Sequence, residues 1–321
     1  MMRRLLLPFL VFLGAVLMAG MARAQTCSFS VTDVNFGNVD TLSGAAVDAT
    51  GSVSVTCRAL LAPVLPVRVC LNLNAGSGGA TSGTRQMRNA ANAPLNYNFF
   101  QDAARQTPWG SREQPALGNP VALIFNTLLL GIPQTQTATI YGRVLPSQQS
   151  TATGFYTSAF SGAQVTFNYV ASLLLPANCS NVTQNTIRPP FMVQANVVPN
   201  CSVTAQNIDF GSHGVLDTAA DAAGRLDVTC TPGTAYTVAL DNGLTGTGPT
   251  ARRMTLGGQA VVYGLYKDTA RSQPWGSSGS QLLSGSGTGA TQSVSVYGRV
   301  PAQPTPGPGT YTDTVVVTVT Y

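Results

Sequence analysis

The chain states one pattern twice. Cys27-Ser28-Phe29-Ser30-Val31, Asn35-Phe36-Gly37 and Val53-Ser54-Val55-Thr56-Cys57 return as Cys201-Ser202-Val203-Thr204, Asp209-Phe210-Gly211 and Leu226-Asp227-Val228-Thr229-Cys230. The stretch Asp102 to Ser111, with Arg105 and Pro108-Trp109-Gly110, returns as Asp268 to Ser277, with Arg271 and Pro274-Trp275-Gly276. Tyr141-Gly142-Arg143-Val144 returns as Tyr297-Gly298-Arg299-Val300. Shared landmarks in one order restrict the chain to two domains of a single fold. They also direct the search for function to the places where the copies differ.

Both copies read as β. Val53-Val55, Val67-Val69-Leu71, Val165-Phe167-Tyr169, Val294-Val296 and Val315-Val317-Val319-Tyr321 alternate with polar residues at period two. Clusters such as Asn74 to Gly79 and Gly285 to Gly289 supply turns. No segment holds a helical period for three turns. The many short strands predict an all-β chain of two tandem immunoglobulin-like β-sandwiches. The boundary is expected in the polar, proline-bearing stretch Ser180 to Pro190, giving domains of 25–186 and 187–321.

The six cysteines follow the repeat. Cys27 and Cys57 stand 30 apart and Cys201 and Cys230 stand 29 apart in the matching copy, so each pair is expected to bridge within its own domain. That leaves Cys70 with Cys179, found only in the first copy. Closing a loop of ~30 residues stabilises each domain by roughly 3–4 kcal/mol in the chain-entropy model.

The first 24 residues read as an export signal. Arg3 and Arg4 precede an apolar run from Leu5 to Met18, and Ala22-Arg23-Ala24 offers a small-residue cleavage site before Gln25. Cleavage removes Arg3, Arg4 and Arg23, taking the net charge from +5 to +2. One lysine then remains, Lys267, and no basic run, so nucleic acid is not an expected partner. Charged residues are only 9% of the chain, against roughly a quarter in ordinary soluble domains. A secreted, poorly charged β chain with six cysteines reads as a surface or assembly protein.

Phe191-Met192-Val193-Gln194-Ala195-Asn196-Val197, the following Cys201-Ser202-Val203, Phe210-Gly211, the Pro-Trp-Gly turn, Tyr297-Gly298-Arg299 and the terminal alternating strand ending in Tyr321 together resemble the spore coat U family. That family includes subunits of archaic chaperone–usher pili, and a two-domain member resembles their tip adhesin. The resemblance implies a C-terminal sandwich lacking its last strand. A periplasmic pilus chaperone would fill the gap during export, an outer-membrane usher would assemble the fibre, and the adjacent pilus subunit would donate the replacing strand. An open sheet edge over an exposed groove is a vacancy that an extended, alternating apolar peptide fills. Only Gln25 and Thr26 precede Cys27 after cleavage, and Tyr321 directly follows the last alternating strand. Such a chain is expected to accept a strand without donating one, at the fibre tip on the cell surface. The donor-like segment lies inside the chain instead. Phe191, Val193, Ala195 and Val197 share one face of it. Three placements stay open: completing the first domain in cis, linking the domains, or belonging to the second.

Material unique to the first copy is apolar where loops are normally polar. It comprises Leu60, Leu61, Val64 and Leu65 before Pro66; Leu128, Leu129, Leu130 and Ile132 before Pro133; and Leu173, Leu174 and Leu175 before Pro176. These are either extra core or surface-binding fingers. The resemblance implies fingers, since archaic tip adhesins attach to hydrophobic surfaces by apolar loops and so promote biofilm formation.

Catalysis finds no foothold. His213, the chain's one histidine, sits in a turn, and the cysteines are committed to bridges, so no metal or cofactor is expected. Glu113 is the only glutamate; Asp102, its nearest acidic neighbour, recurs as Asp268 whereas Glu113 has no counterpart. Arg105/Arg271 and Trp109/Trp275 occur in both copies, which favours a structural role, the arginine pairing with the nearby aspartate. The rival functions are a glycan-binding tip lectin, a structural coat or pilus subunit without a target, and an enzyme.

Overall fold

The computed structural model describes residues 25–126 and 128–321; the export signal lies outside them. The described chain is almost entirely β and forms two compact units. The first comprises residues up to Gly37, Ala46–Pro146 and Phe155–Asn196, and the second Asn38–Ala45, Ser147–Gly154 and Val197–Tyr321.

The first unit contains β1 (Gln25–Val31), β2 (Val34–Val39), β3 (Val47–Ala59), β4 (Val67–Leu73), β5 (Ala80–Thr81), β6 (Thr84–Arg88), β7 (Pro94–Phe100), β8 (Val121–Phe125), β9 (Gln134–Val144), β10 (Gly154–Phe160), β11 (Val165–Ala171) and β12 (Phe191–Val197). Its large sheet runs β1-β3-β9-β7-β6-β10-β12-β2, with β5 on β6, and faces a small sheet, β11-β4-β8. Only Thr32 and Asp33 separate β1 from β2, which stand at opposite ends of that order. The large sheet therefore bends back on itself. β2 lies against β3 and β9, where two glycines admit it: a Cβ at Gly51 would lie 2.8 Å from Val34, and one at Gly142 would lie 2.9 Å from Phe36.

The second unit contains β13 (Cys201–Ala205), β14 (Ala220–Cys230), β15 (Ala235–Leu240), β16 (Arg252–Leu256), β17 (Gln259–Tyr266), β18 (Leu283–Ser286), β19 (Gln292–Val300) and β20 (Val317–Thr320). Its sheets, β13-β14-β19-β17-β16 and β18-β15-β20, repeat β1-β3-β9-β7-β6 and β8-β4-β11. The glycine seat repeats too: a Cβ at Gly224 would lie 2.6 Å from Ile208, and one at Gly298 would lie 2.7 Å from Phe210. What the second unit lacks, among the described residues, are strands matching β2, β5, β10 and β12.

Disulfides join Cys27 to Cys57, Cys70 to Cys179 and Cys201 to Cys230. The first and third link residues directly opposed in antiparallel pairs. Cys70–Cys179 fastens the segment after β11 over the outer face of β4, where both cysteines and Val182 form a small buried cluster. That outer cover explains why consecutive residues Val69 to Leu73 are all buried.

The paired arginines and tryptophans are structural. Trp109 and Trp275 are fully buried, and their indole N–H groups donate to Leu71 O (2.9 Å) and Val238 O (3.0 Å). The carboxylate partner of Arg105 is Asp48 on β3, not the neighbouring Asp102; Asp48 also binds Arg143. Asp221, Arg271 and Arg299 repeat the triad. Asp102 and Asp268 instead accept backbone N–H groups of their own turns, because Arg105 and Arg271 take positive φ there and turn those amides inward.

The Arg143 hydrogen bond, opposed by burial and helped by the Arg105 charge, holds Asp48 below the ordinary carboxylate range; Asp221 is lowered likewise, first by Arg299. A lowered folded pKa means the contribution is complete above the unfolded value of about 3.9 and is lost as pH falls through the folded one. Replacing Asp48 and Asp221 by Asn should therefore flatten stability against pH on the acid side, measured by melting between about pH 2 and 5, and leave the slope above pH 6 unchanged.

Candidate functional site

Two features separate the copies, one in each unit. The first is the loop cluster. β3 ends at Ala59 while β9 begins opposite Cys57, and Val67, the first residue of β4, pairs with both Phe125 and Ala171, the last residues of β8 and β11. The chain thus leaves β3, β8 and β11 at one end of the sandwich. The loops are tied together there: Gly131 N–H donates to Ala59 O (2.8 Å), and Ser172 N–H donates to Pro66 O (3.2 Å).

Exposure within the cluster is uneven. Leu173 and Leu174 are 80% and 89% exposed, and Leu60, Leu61, Val64, Leu129, Leu130 and Ile132 are exposed as well. Leu65 and Leu175 are half-buried. Leu128 departs from the expected set; at 5% exposure it turns into the sandwich and cannot meet a surface.

The second feature is the slot around β12. In the first unit Phe191, Val193, Ala195 and Val197 are all buried, while Met192 and Asn196 face outward. Phe191 stacks on Phe160 at 4.5 Å. Because the first residue of β12 meets the last of β10, these hydrogen-bonded neighbours overlap only by running antiparallel. Met192 N–H donates to Asp33 Oδ1 (2.7 Å) and Val198 N–H donates to Val39 O (3.1 Å), so β12 runs parallel to β2. Of the three open placements the strand takes the first: it fills the slot of the first unit in cis.

Among the described residues, no strand of the chain fills the corresponding slot in the second unit. The repeat maps Val34 and Phe36 onto Ile208 and Phe210. The Arg88–Thr157 and Thr255–Thr312 pairings map Tyr156 onto Tyr311 and Phe160 onto Val315. Between these flanks lie two adjoining hollows of about 590 and 440 Å³ that share Ile208, Phe210, Met254 and Tyr311 in their walls. Val34, Phe36, Tyr156 and Phe160 are buried, whereas Ile208, Phe210, Tyr311 and Val315 are only half-buried. Without a central partner the flanks lose regular pairing. Residues 206–213 and 309–315 form no strand beyond the isolated bridge at Thr312, though their counterparts include all of β2 and β10.

Buried arginines support both slots from beneath and were not singled out from sequence. Arg85 donates to Leu73 O, Asn74 O and Trp109 O, and Arg252 to Asp241 O and Trp275 O. Burial lowers the Arg85 guanidinium to about 10. The signal was present: Arg-x-Met recurs as Arg85-Gln86-Met87 and Arg252-Arg253-Met254. The two residues weighed for catalysis have structural partners. His213 Nε2 contacts Phe210 O on the groove wall, and Glu113 pairs with Arg112. Among the described residues no group of three or more His, Cys, Asp or Glu could hold a metal ion, and no helix is long and apolar enough to cross a membrane.

The duplicated architecture agrees with a family model described as Spore Coat Protein U domain, which matches residues 13–162 and 188–318. The chain belongs to the Spore Coat Protein U domain family. A relative, Protein U of Myxococcus xanthus, is 32% identical over 163 residues, covering 46% of this chain and 88% of that protein. Among solved structures the chain is similar to the CsuC–CsuE chaperone–tip adhesion subunit pre-assembly complex from archaic chaperone–usher Csu pili of Acinetobacter baumannii. The TM-score is 0.52 at 17% identity, with 92% of this chain and 100% of that chain covered; this likeness shows the fold. The CupB6 tip adhesin from Pseudomonas aeruginosa aligns over 92% of this chain and 94% of its own at 10% identity, with a TM-score of 0.36. The second spore coat U match begins at 188, so by sequence β12 travels with the second copy, while by packing it belongs to the first.

Proposed function

We propose that this chain is the tip adhesin of an archaic chaperone–usher pilus, exported through the periplasm and displayed at the cell surface. The observation that carries the reading is the shared slot, filled in one unit by the chain's own strand and vacant in the other. The donor-like segment is spent inside the molecule, while the second unit still accepts a strand. In this reading a periplasmic chaperone occupies the groove before assembly at the usher, and the adjacent subunit's strand occupies it afterwards. The tip adhesion subunit named in the similar complex supports this reading.

The loop cluster is the proposed attachment site. Eight exposed apolar side chains, held together at one end of a rigid sandwich, form a patch of the kind that marks an interaction surface. Burying most of that area against an apolar solid is worth on the order of 10 kcal/mol before association costs. Replacing Leu61, Leu129 and Leu174 by Ser is expected to abolish attachment to polystyrene while leaving the melting temperature within about 2 °C of the parent, since exposed substitutions change stability little. Attachment by the parent should also resist salt, because no charge pair is involved. Retained adhesion would place the site elsewhere, and unfolding would make the loops core.

The family's description favours a second reading, a structural coat subunit without a target. Ordered self-assembly of the purified mature chain, with no added strand donor, would support it.

A further inference from the structure

We infer that the groove of the second unit selects a strand whose leading inward side chain is aromatic and at least as large as Phe191, seated against Val315 and Leu265. This rests on the acceptor-groove reading and names the chemistry of the occupant.

The filled slot is the template. There three rings meet: Phe191 stacks on Phe160 at 4.5 Å with an interplanar angle of 18°, and Phe99 lies 5.5 Å from Phe160 and 6.3 Å from Phe191. Phe160 maps onto Val315 through the Thr157 and Thr312 pairings. Phe99 maps onto Leu265 because Phe100 bridges Pro108 as Tyr266 bridges Pro274. Two of the three rings are thus aliphatic in the vacant slot, and both replacements line its hollow of about 440 Å³.

The remaining floor does not make up the loss. Leu73 and Val165 keep their size as Leu240 and Val317, and the change from Val53 to Leu226 is offset by that from Ile140 to Val296. The surroundings change in the same direction. Leu244 and Val316 are 73% and 55% exposed at that end, where the repeat places Ser77 and Ser161 in the filled copy. Interiors close-pack, so a slot that has lost two rings from its wall favours a bulkier tenant. The filled slot also fixes direction. The strand should run antiparallel to residues 309–315, its first inward residue opposite Val315, third opposite Asp313 and fifth opposite Tyr311.

The test uses the mature full-length chain and fluorescent peptides built on the sequence of Phe191 to Val197, with Trp, Phe or Ala at the first position. The Trp peptide should bind at least as tightly as the Phe peptide, and the Ala peptide about tenfold or more weakly than either. Val315→Phe, which restores a ring to the wall, should weaken the Trp peptide about tenfold while changing the Ala peptide less than threefold. Leu265→Phe should do the same, and serves if the first variant fails to fold. Equal binding of the Trp and Ala peptides to the parent chain would overturn the size selection and leave the groove reading standing. Failure of all three peptides to bind would overturn the groove reading itself.

Discussion

Val193→Asp is expected to abolish the cooperative unfolding transition of the first unit. Val193 is fully buried at the centre of β12, between β10 and β2. An aspartate there either stays charged and unpaired in an apolar interior or forces the strand out of the slot. Both routes cost several kcal/mol, a large part of the roughly 5–15 kcal/mol that holds a domain together. Losing the strand also strips its partners: β2 and β10 would become the irregular flanks seen at residues 206–213 and 309–315. Phe191→Ala should be milder, about 3–5 kcal/mol, since it removes one ring of a three-ring cluster. Met192→Asp is the control, because Met192 faces outward and should change little. Hydrogen exchange at Tyr97 and Phe99, whose strand β7 lies in the same sheet, reads the outcome. Protection surviving in Val193→Asp would mean that β12 does not complete the first core.

How far the sequence revealed this arrangement can be judged from particular residues. The period-two runs and the doubled landmarks specified an all-β pair of sandwiches, because alternation fixes a strand's buried face and repetition fixes the domain count. The cysteine spacing worked for the same reason, each repeated pair standing directly opposed across two antiparallel strands. The inward face of Phe191, Val193, Ala195 and Val197 was equally legible, but its destination was not. A strand is recognised locally, whereas the slot it enters is built from β10 and β2, the latter more than 150 residues earlier. Leu128 shows the same limit within a loop: its composition matches that of Leu129 and Leu130, and only the turn of the backbone sends it inward. Arg105 was matched to the acid nearest in sequence, yet its partner Asp48 comes from β3. Charge pairs across a sheet follow strand order, which residue spacing does not carry.

A donor strand should raise the melting temperature of the second unit by more than about 10 °C. Three or four inward side chains entering the groove bury roughly 1.5–3 kcal/mol each, and the half-buried Ile208, Phe210, Met254, Tyr311 and Val315 lose their remaining exposure. Ordering the peptide takes back about 2–5 kcal/mol, leaving a net gain of several. For a domain of this size each kcal/mol shifts the midpoint by a few degrees. Appending the strand after Tyr321 through a polar linker of about eight residues, long enough to return past β20 to Val315, converts a bimolecular event into an intramolecular one, and should stabilise more than free peptide at micromolar concentration. A scrambled strand that breaks the alternation is the control, because half its apolar side chains would face solvent. The first unit, whose slot is already filled, should keep its own transition in every case. An unshifted second transition with the alternating strand appended would mean that residues 206–213 and 305–315 flank no acceptor site, and the tip reading would lose its main support.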